Sequence, residues 1–241
     1  MKKFIGIIPA RAGSKSIIDK NILKLGDHPL IAYSIAAAQI STNINRVIVS
    51  TDSEKYREIA KRYGAEVPFL RPKNFAEDTS VDRDFFLHAI NWFKVNEKKS
   101  PEFFVHLRPT TPLREPEVIN QAIKSFLANE EATSLRSAHL APESPMKWFT
   151  KDDIYFKGFV DKELSNLPKE SFKKTYIPNG YVDIVRSSIV EDNYEIHGSK
   201  ILGFETKVTN EVDSLEEFEY ISFQLKTNGS VLKNYLDKLY K

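Results

Sequence analysis

A chain of 241 residues, 41% apolar and 28% charged, is ordinary for a soluble globular protein and long enough for one domain carrying a substantial insertion. Lys and Arg number 35 against 33 Asp and Glu, and a net charge of +2 gives no reason to expect nucleic acid or another polyanionic partner. With no cysteine, disulfides and thiolate metal sites are excluded, and His28, His88, His106, His139 and His197 lack the spacing of a zinc site.

In chain order, the opening Met1 to Ile8 looks like a signal segment only briefly. Pro9 breaks its apolar run and Arg11 and Lys15 follow, so neither a signal core nor a membrane span is expected, and a cytoplasmic protein is. Three short, nearly continuous β-branched or aromatic runs, Phe4–Ile8, Arg46–Ser50 and Phe103–Leu107, fit strands buried on both faces. Helical spacing marks Leu30–Ile40, Glu54–Tyr63 (ended by Gly64), Asp82–Phe93 and Glu115–Asn129, the last opened by Pro116. Strand alternating with helix predicts a doubly wound, mostly parallel α/β sheet of the Rossmann-like kind. From about Ser137 to Pro178 the chain turns rich in Pro, Lys and aromatic residues and reads as short strands and loops. Tyr181–Val185 and Ile201–Glu205 then read as returning strands, and Leu215–Gln224 and Ser230–Leu239 as closing helices.

Ligands of such sheets bind beyond the carboxyl ends of the strands, which singles out three loops. Pro9 to Asn21 carries Arg11, Lys15 and Lys20 around Gly13 and Ser14; a glycine brings backbone N–H groups close to a phosphate and the cations neutralise it, although the P-loop spacing is absent. In Ser50-Thr51-Asp52-Ser53, Ser53 caps the next helix and Asp52 can face the site. Arg108 to Arg114 is stiffened by two prolines and is either a binding loop or a structural turn. Further on, Glu211 and Asp213 stand two apart, so an extended backbone would aim both at one hard cation such as magnesium, although composition alone favours Asp213 or Ser214 as the cap of the following helix.

Taken in order, these segments resemble the acylneuraminate cytidylyltransferases, the CMP-sialic acid synthetases, along nearly the whole chain. The likeness rests on Ile8 to Lys15 with Lys20-Asn21, Val49 to Asp52, Gly64 to Val67, Arg71-Pro72, Asp78-Thr79-Ser80, Leu107 to Arg114, Pro178-Asn179-Gly180 and Glu211-Val212-Asp213. The resemblance implies a single nucleotidyltransferase domain over 1–241, with an inserted dimerisation and sugar-binding lobe at about 137–177. It implies that Arg11, Lys15 and Lys20 hold the triphosphate of CTP with backbone amides near Gly13 and Ser14, that Asn21, Arg71 and Ser80 contact cytosine or ribose, and that Ala12, Asp78 and Thr79 belong to the same nucleotide site. Asp213 and Glu211 would hold Mg2+, and Arg11, Lys20 and Asp213 would be catalytic. Arg108, Lys147, Lys169, Tyr176 and Asn179 would line the sugar pocket. Three departures stand out: Ser16-Ile17-Ile18 where the family has Gly-Leu/Ile-Pro, Arg108 for Gln, and Ile177 for Arg.

The activity so implied is attack by the anomeric hydroxyl of a sialic-acid-like keto-sugar acid on CTP, releasing pyrophosphate. The sugar would be N-acetylneuraminate, legionaminate or pseudaminate, and the protein a homodimer serving lipopolysaccharide or capsule biosynthesis. A nucleotidyltransferase for KDO or for a sugar 1-phosphate is the competing enzyme reading. An inactive nucleotide-binding homologue is the competing reading of another class.

Overall fold

The computed structural model describes residues 4–160, 162–192 and 195–240, so the first three residues of the opening run lie outside it. Strand β1 (Phe4–Pro9) leads through a long loop and a small hairpin, β2 (Lys24–Leu25) and β3 (His28–Pro29), into α1 (Leu30–Ile40). There follow β4 (Ile44–Ser50), α2 (Glu54–Arg62), α3 (Asp82–Asn96), β5 (Phe103–His106), α4 (Pro116–Ala128) and β6 (Ser134–Leu140). A hairpin of β7 (Phe149–Asp152) and β8 (Tyr155–Gly158) precedes β9 (Tyr176–Arg186). The chain closes with α5 (Ser187–Asp192), β10 (Ile201–Glu205), α6 (Leu215–Asn228) and α7 (Val231–Leu239).

Six strands form one sheet in the order β10-β6-β9-β5-β1-β4. β9 alone runs antiparallel to its neighbours β5 and β6, because it returns from the segment after β6 without a crossover helix; the other pairings are parallel. The expected mostly parallel α/β architecture is therefore the one adopted. Both faces are covered, as unbroken apolar strands require. α1, α4, α6 and α7 bury Phe4, Ile8, Phe103, Val105 and Ile184 on one side. α3 buries Ile5, Ile7, Ile48 and Phe104 on the other, largely through Phe85, Phe86 and Phe93. α1 shows little amphipathy because β1 and β4 lie under it and α2, α4 and α7 surround it; Leu30 to Ala38 are all buried.

Helix ends follow their local chemistry. Ser53 caps α2 by accepting from Tyr56 N at 3.4 Å. Ser214 caps α6, accepting from Glu217 N at 3.2 Å while Glu217 accepts from Ser214 N at 2.8 Å. Ser214 therefore takes the capping role and leaves the Asp213 side chain outside the cap.

The lobe is what lies between β6 and β9, residues 141–175, and the end of β6, the β7–β8 hairpin and the start of β9 are the strands of the stretch read from sequence as short strands and loops. Among the described residues no helix is long and apolar enough to cross a membrane.

Candidate active site

The parallel strands end on one edge of the sheet, and strand order reverses there: from β1 the chain goes out to β4, then returns to pair β5 on the other side of β1. The loop after β1 fills this switch point. Ala10 N donates to Ser50 O at 2.9 Å, Ala12 N to Asp52 Oδ1 at 2.8 Å, and Asn21 Nδ2 to Arg11 O at 3.0 Å. Asp52 and Asn21 thus shape the loop from both sides. Gly13 has φ 74°, and a Cβ there would meet nothing within 4 Å, so it is the backbone conformation, not crowding, that calls for glycine. Ile17 is buried as an anchor and Ile18 is exposed, so the departure Ser16-Ile17-Ile18 leaves the loop pinned to the core.

The three cations of this loop each meet a carboxylate across the crevice. Arg11 Nη1 lies 2.8 Å from Asp78 Oδ1, and Lys15 Nζ lies 2.5 Å from Asp78 Oδ2. Hydrogen bonds from Lys15 first, then Arg11, hold the Asp78 carboxyl below the usual carboxylate range. Lys20, largely enclosed, donates to Asp213 Oδ1 and to Val212 O, both at 2.9 Å. Arg11, Ala12, Gly13 and Lys15 face Ala76 to Thr79 across an open hollow of about 530 Å³. Ser80 Oγ donates to Asn74 O at 3.3 Å, and Ser14 is half-buried in the loop. Arg71 turns inward: Nε and Nη2 donate to Ser50 Oγ and O at 3.1 and 2.6 Å, and burial brings its pKa down to about 10.

The residues assigned to the sugar side fall in two groups. Arg108 is held at the middle of the sheet edge, donating to Asp82 Oδ2 at 2.7 Å and Asp183 Oδ2 at 3.1 Å. Burial works against its charge, but Asp183 and Asp82 outweigh that and raise its pKa. Asn179 is buried nearby, donating to Thr206 Oγ1 at 2.7 Å. Beneath them the fully buried Arg114 ties its loop to β9 by donating to Tyr181 O and Gly180 O, and closes the loop on itself by donating to Arg108 O; burial lowers its pKa to about 9. Glu211 reaches the same place: a Cβ on Gly180 would stand 3.2 Å from Glu211 Oε1 and 3.4 Å from Arg108 Cδ. Burial raises the Glu211 pKa, opposed by Arg108 and helped by Asp213.

The second group belongs to the lobe and its junction with β9. Lys147 pairs with Glu143 at 3.0 Å. Lys169 joins Lys173, Lys174, Ser144 and Thr175 around a hollow of about 300 Å³. Tyr176 is exposed, and its hydroxyl donates to Glu205, which raises its pKa. Asp82 and Asp183 escaped the sequence reading. The signal for Asp183 was present: an acid inside the apolar strand Tyr181–Val185 needs a counter-ion.

An open, mostly parallel sheet with a cationic glycine loop at its switch point, facing acidic groups across a crevice, defines an α/β nucleotidyltransferase fold. A CMP:2-keto-3-deoxy-manno-octonic acid synthetase solved with CTP superimposes with a TM-score of 0.70, at 15% identity over 94% of this chain and 100% of that one. Residues 5–194 match the cytidylyltransferase family, and the chain belongs to it. It is 33% identical over 236 residues to an N-acylneuraminate cytidylyltransferase of Escherichia coli, which covers 97% of this chain and 55% of that protein. It is 38% identical over 125 residues to a CMP-N,N'-diacetyllegionaminic acid synthase of Legionella pneumophila, over 51% of this chain and 52% of that one. The chain thus spans about half the length of the E. coli relative.

Proposed function

We propose that the protein transfers CMP from CTP to the anomeric hydroxyl of an N-acylated nonulosonic acid and releases pyrophosphate. The observation that carries this reading is the set of Arg11, Lys15 and Lys20 around one crevice at the switch point. Family membership and the sugar acids named in its relatives support the choice of substrates.

In the reaction the sugar hydroxyl oxygen bonds to the α-phosphorus, the bond from that phosphorus to the β-phosphate oxygen breaks, and the hydroxyl proton goes to solvent. Such transfers depend on positioning and charge neutralisation. Arg11 and Lys15 would exchange Asp78 for phosphate oxygens, and Lys20 would exchange Asp213. The loop backbone, fixed by Asp52 and Asn21, keeps those cations in place.

Magnesium fits the residues present. Asp213 is 68% exposed with one oxygen on Lys20, and the Glu211 carboxylate accepts no hydrogen bond among the described residues. Those residues show no cluster of three ligating side chains, and magnesium needs none, since one or two carboxylates with substrate phosphates are its usual set. Asp213, with Glu211, would hold the ion, which when bound neutralises phosphate charge and acidifies the attacking hydroxyl.

The decisive assay follows pyrophosphate with each of the four nucleoside triphosphates against a panel of keto-sugar acids. Release that needs CTP and an N-acylated nonulosonic acid is expected. Preference for another nucleotide, or for a sugar 1-phosphate, would overturn the reading.

A further inference from the structure

Arg108 is the one cation near the middle of the sheet edge that departs from the family pattern, and its surroundings decide what it can do. Its two terminal nitrogens are taken by Asp82 and Asp183, so the three side chains together carry one net negative charge. Asp183 is 1% exposed, and its other oxygen has no hydrogen-bond partner among the described residues. If Arg108 swung away to a substrate carboxylate, a buried carboxylate would be left without its counter-ion, which is strongly unfavourable. Arg108 is therefore committed to the protein. Its charge is not free to hold a substrate carboxylate brought to this wall.

Asp82 is placed differently. It opens α3 directly after the Asp78–Ser80 loop, its side chain is 38% exposed, and its Oδ1 accepts no hydrogen bond among the described residues. It also acts on the charge of Arg71, on the nucleotide side, as well as on Arg108. Glu211 flanks the same stretch of β9 at Gly180. Asp82 thus borders the crevice between its nucleotide and sugar halves, with a carboxylate oxygen to spare.

Resting on the function proposed above, we propose that Asp82, clamped through Arg108 to the buried Asp183, is a specificity-determining residue that accepts a hydrogen bond from an acylamino N–H of the sugar acid. The sugar then lies with its carboxylate toward the lysines of the lobe and its acylamino group toward Asp82. An anionic acceptor suits a neutral donor and rejects a second acidic substituent, so the wall selects by attraction and repulsion together.

The test uses two keto-sugar acids that differ only in an acylamino group or a hydrogen at one ring position, each position taken in turn. Wild-type kcat/KM is expected to favour the acylamino sugar by about tenfold to a hundredfold at one position, the size of a charge-assisted hydrogen bond. Asp82→Ala should erase that preference, the acylamino sugar losing more kcat/KM than the lacking one; Asp82→Asn should keep part of it. A loss common to both sugars, or a preference that survives in Asp82→Ala, overturns the proposal.

A second pair, the sugar acid and its carboxamide, is run with the charge-balanced double variant Arg108→Gln, Asp183→Asn. A carboxamide penalty equal to that of wild type is expected, and a penalty that vanishes would place the carboxylate on Arg108 and overturn the orientation. Should wild type turn over no keto-sugar acid at all, the functional reading fails and takes this proposal with it; turnover without the predicted preference sinks the proposal alone.

Discussion

Lys20 and Asp213 stand 193 residues apart in the chain, yet they meet at 2.9 Å in the folded crevice. The pair defines what each residue is expected to do. Asp213 lies outside the α6 cap, which Ser214 and Glu217 complete without its side chain. Asp213→Ala should therefore keep its melting temperature while kcat falls by about a hundredfold or more, the scale of metal neutralisation at a phosphoryl centre. Wild-type turnover should vanish with a chelator and return with magnesium; turnover that persists under chelation refutes the metal role. Lys20→Ala and Arg11→Ala each remove a charge-assisted contact to the triphosphate, worth about 1.5–3 kcal/mol. Isothermal titration should show weaker CTP binding with little change in melting temperature. The opposite pair of results would make these residues structural.

At the scale of elements, the sequence-level contrast between the two halves of the molecule has a physical cause. β1, β5 and the last three residues of β4 are buried, so they show as short apolar runs, and α2 between β4 and β5 carries its Ser53 cap and helical spacing. β6 mixes Ser134, Arg136 and Ser137 with Leu135, so no apolar run announces it. Only the second half of β9 was legible, since Tyr176 to Pro178 carry a proline and stay partly exposed. The cationic loop after β1 was readable because its charges are local in sequence. The Asp82–Arg108–Asp183 clamp was not, because it joins three distant segments. The lobe offers a sharper choice than sequence did: Glu143 already neutralises Lys147, whereas Lys169 has no ion pair among the described residues. Lys169→Ala should accordingly raise the sugar KM while leaving the KM for CTP nearly unchanged, and Lys169→Arg should keep partial activity. A sugar KM within error of wild type in Lys169→Ala would move the carboxylate elsewhere.

For the whole molecule the open question of assembly turns on the lobe. β7 and β8 form a two-stranded hairpin whose residues are nearly all exposed, and such a hairpin alone is marginal in water. Tyr155 and Phe156 are more than 70% exposed, Met146, Trp148, Phe149 and Phe159 are also exposed, and the Phe149 and Phe156 rings lie 5.9 Å apart on the hairpin. Apolar surface gathered in this way marks an interaction site, and each large side chain covered by a partner contributes about 1.5–3 kcal/mol. We propose a second copy of the chain as that partner, in keeping with the dimer the family resemblance implies. Light scattering should then give twice the mass of 27.7 kDa. Replacing both Tyr155 and Phe156 by Asp should yield monomers whose sheet domain stays folded, since neither side chain belongs to either core cluster. A wild-type protein that stays monomeric at micromolar concentration would rule the assembly out, and a dimer untouched by the double substitution would move its interface away from the lobe.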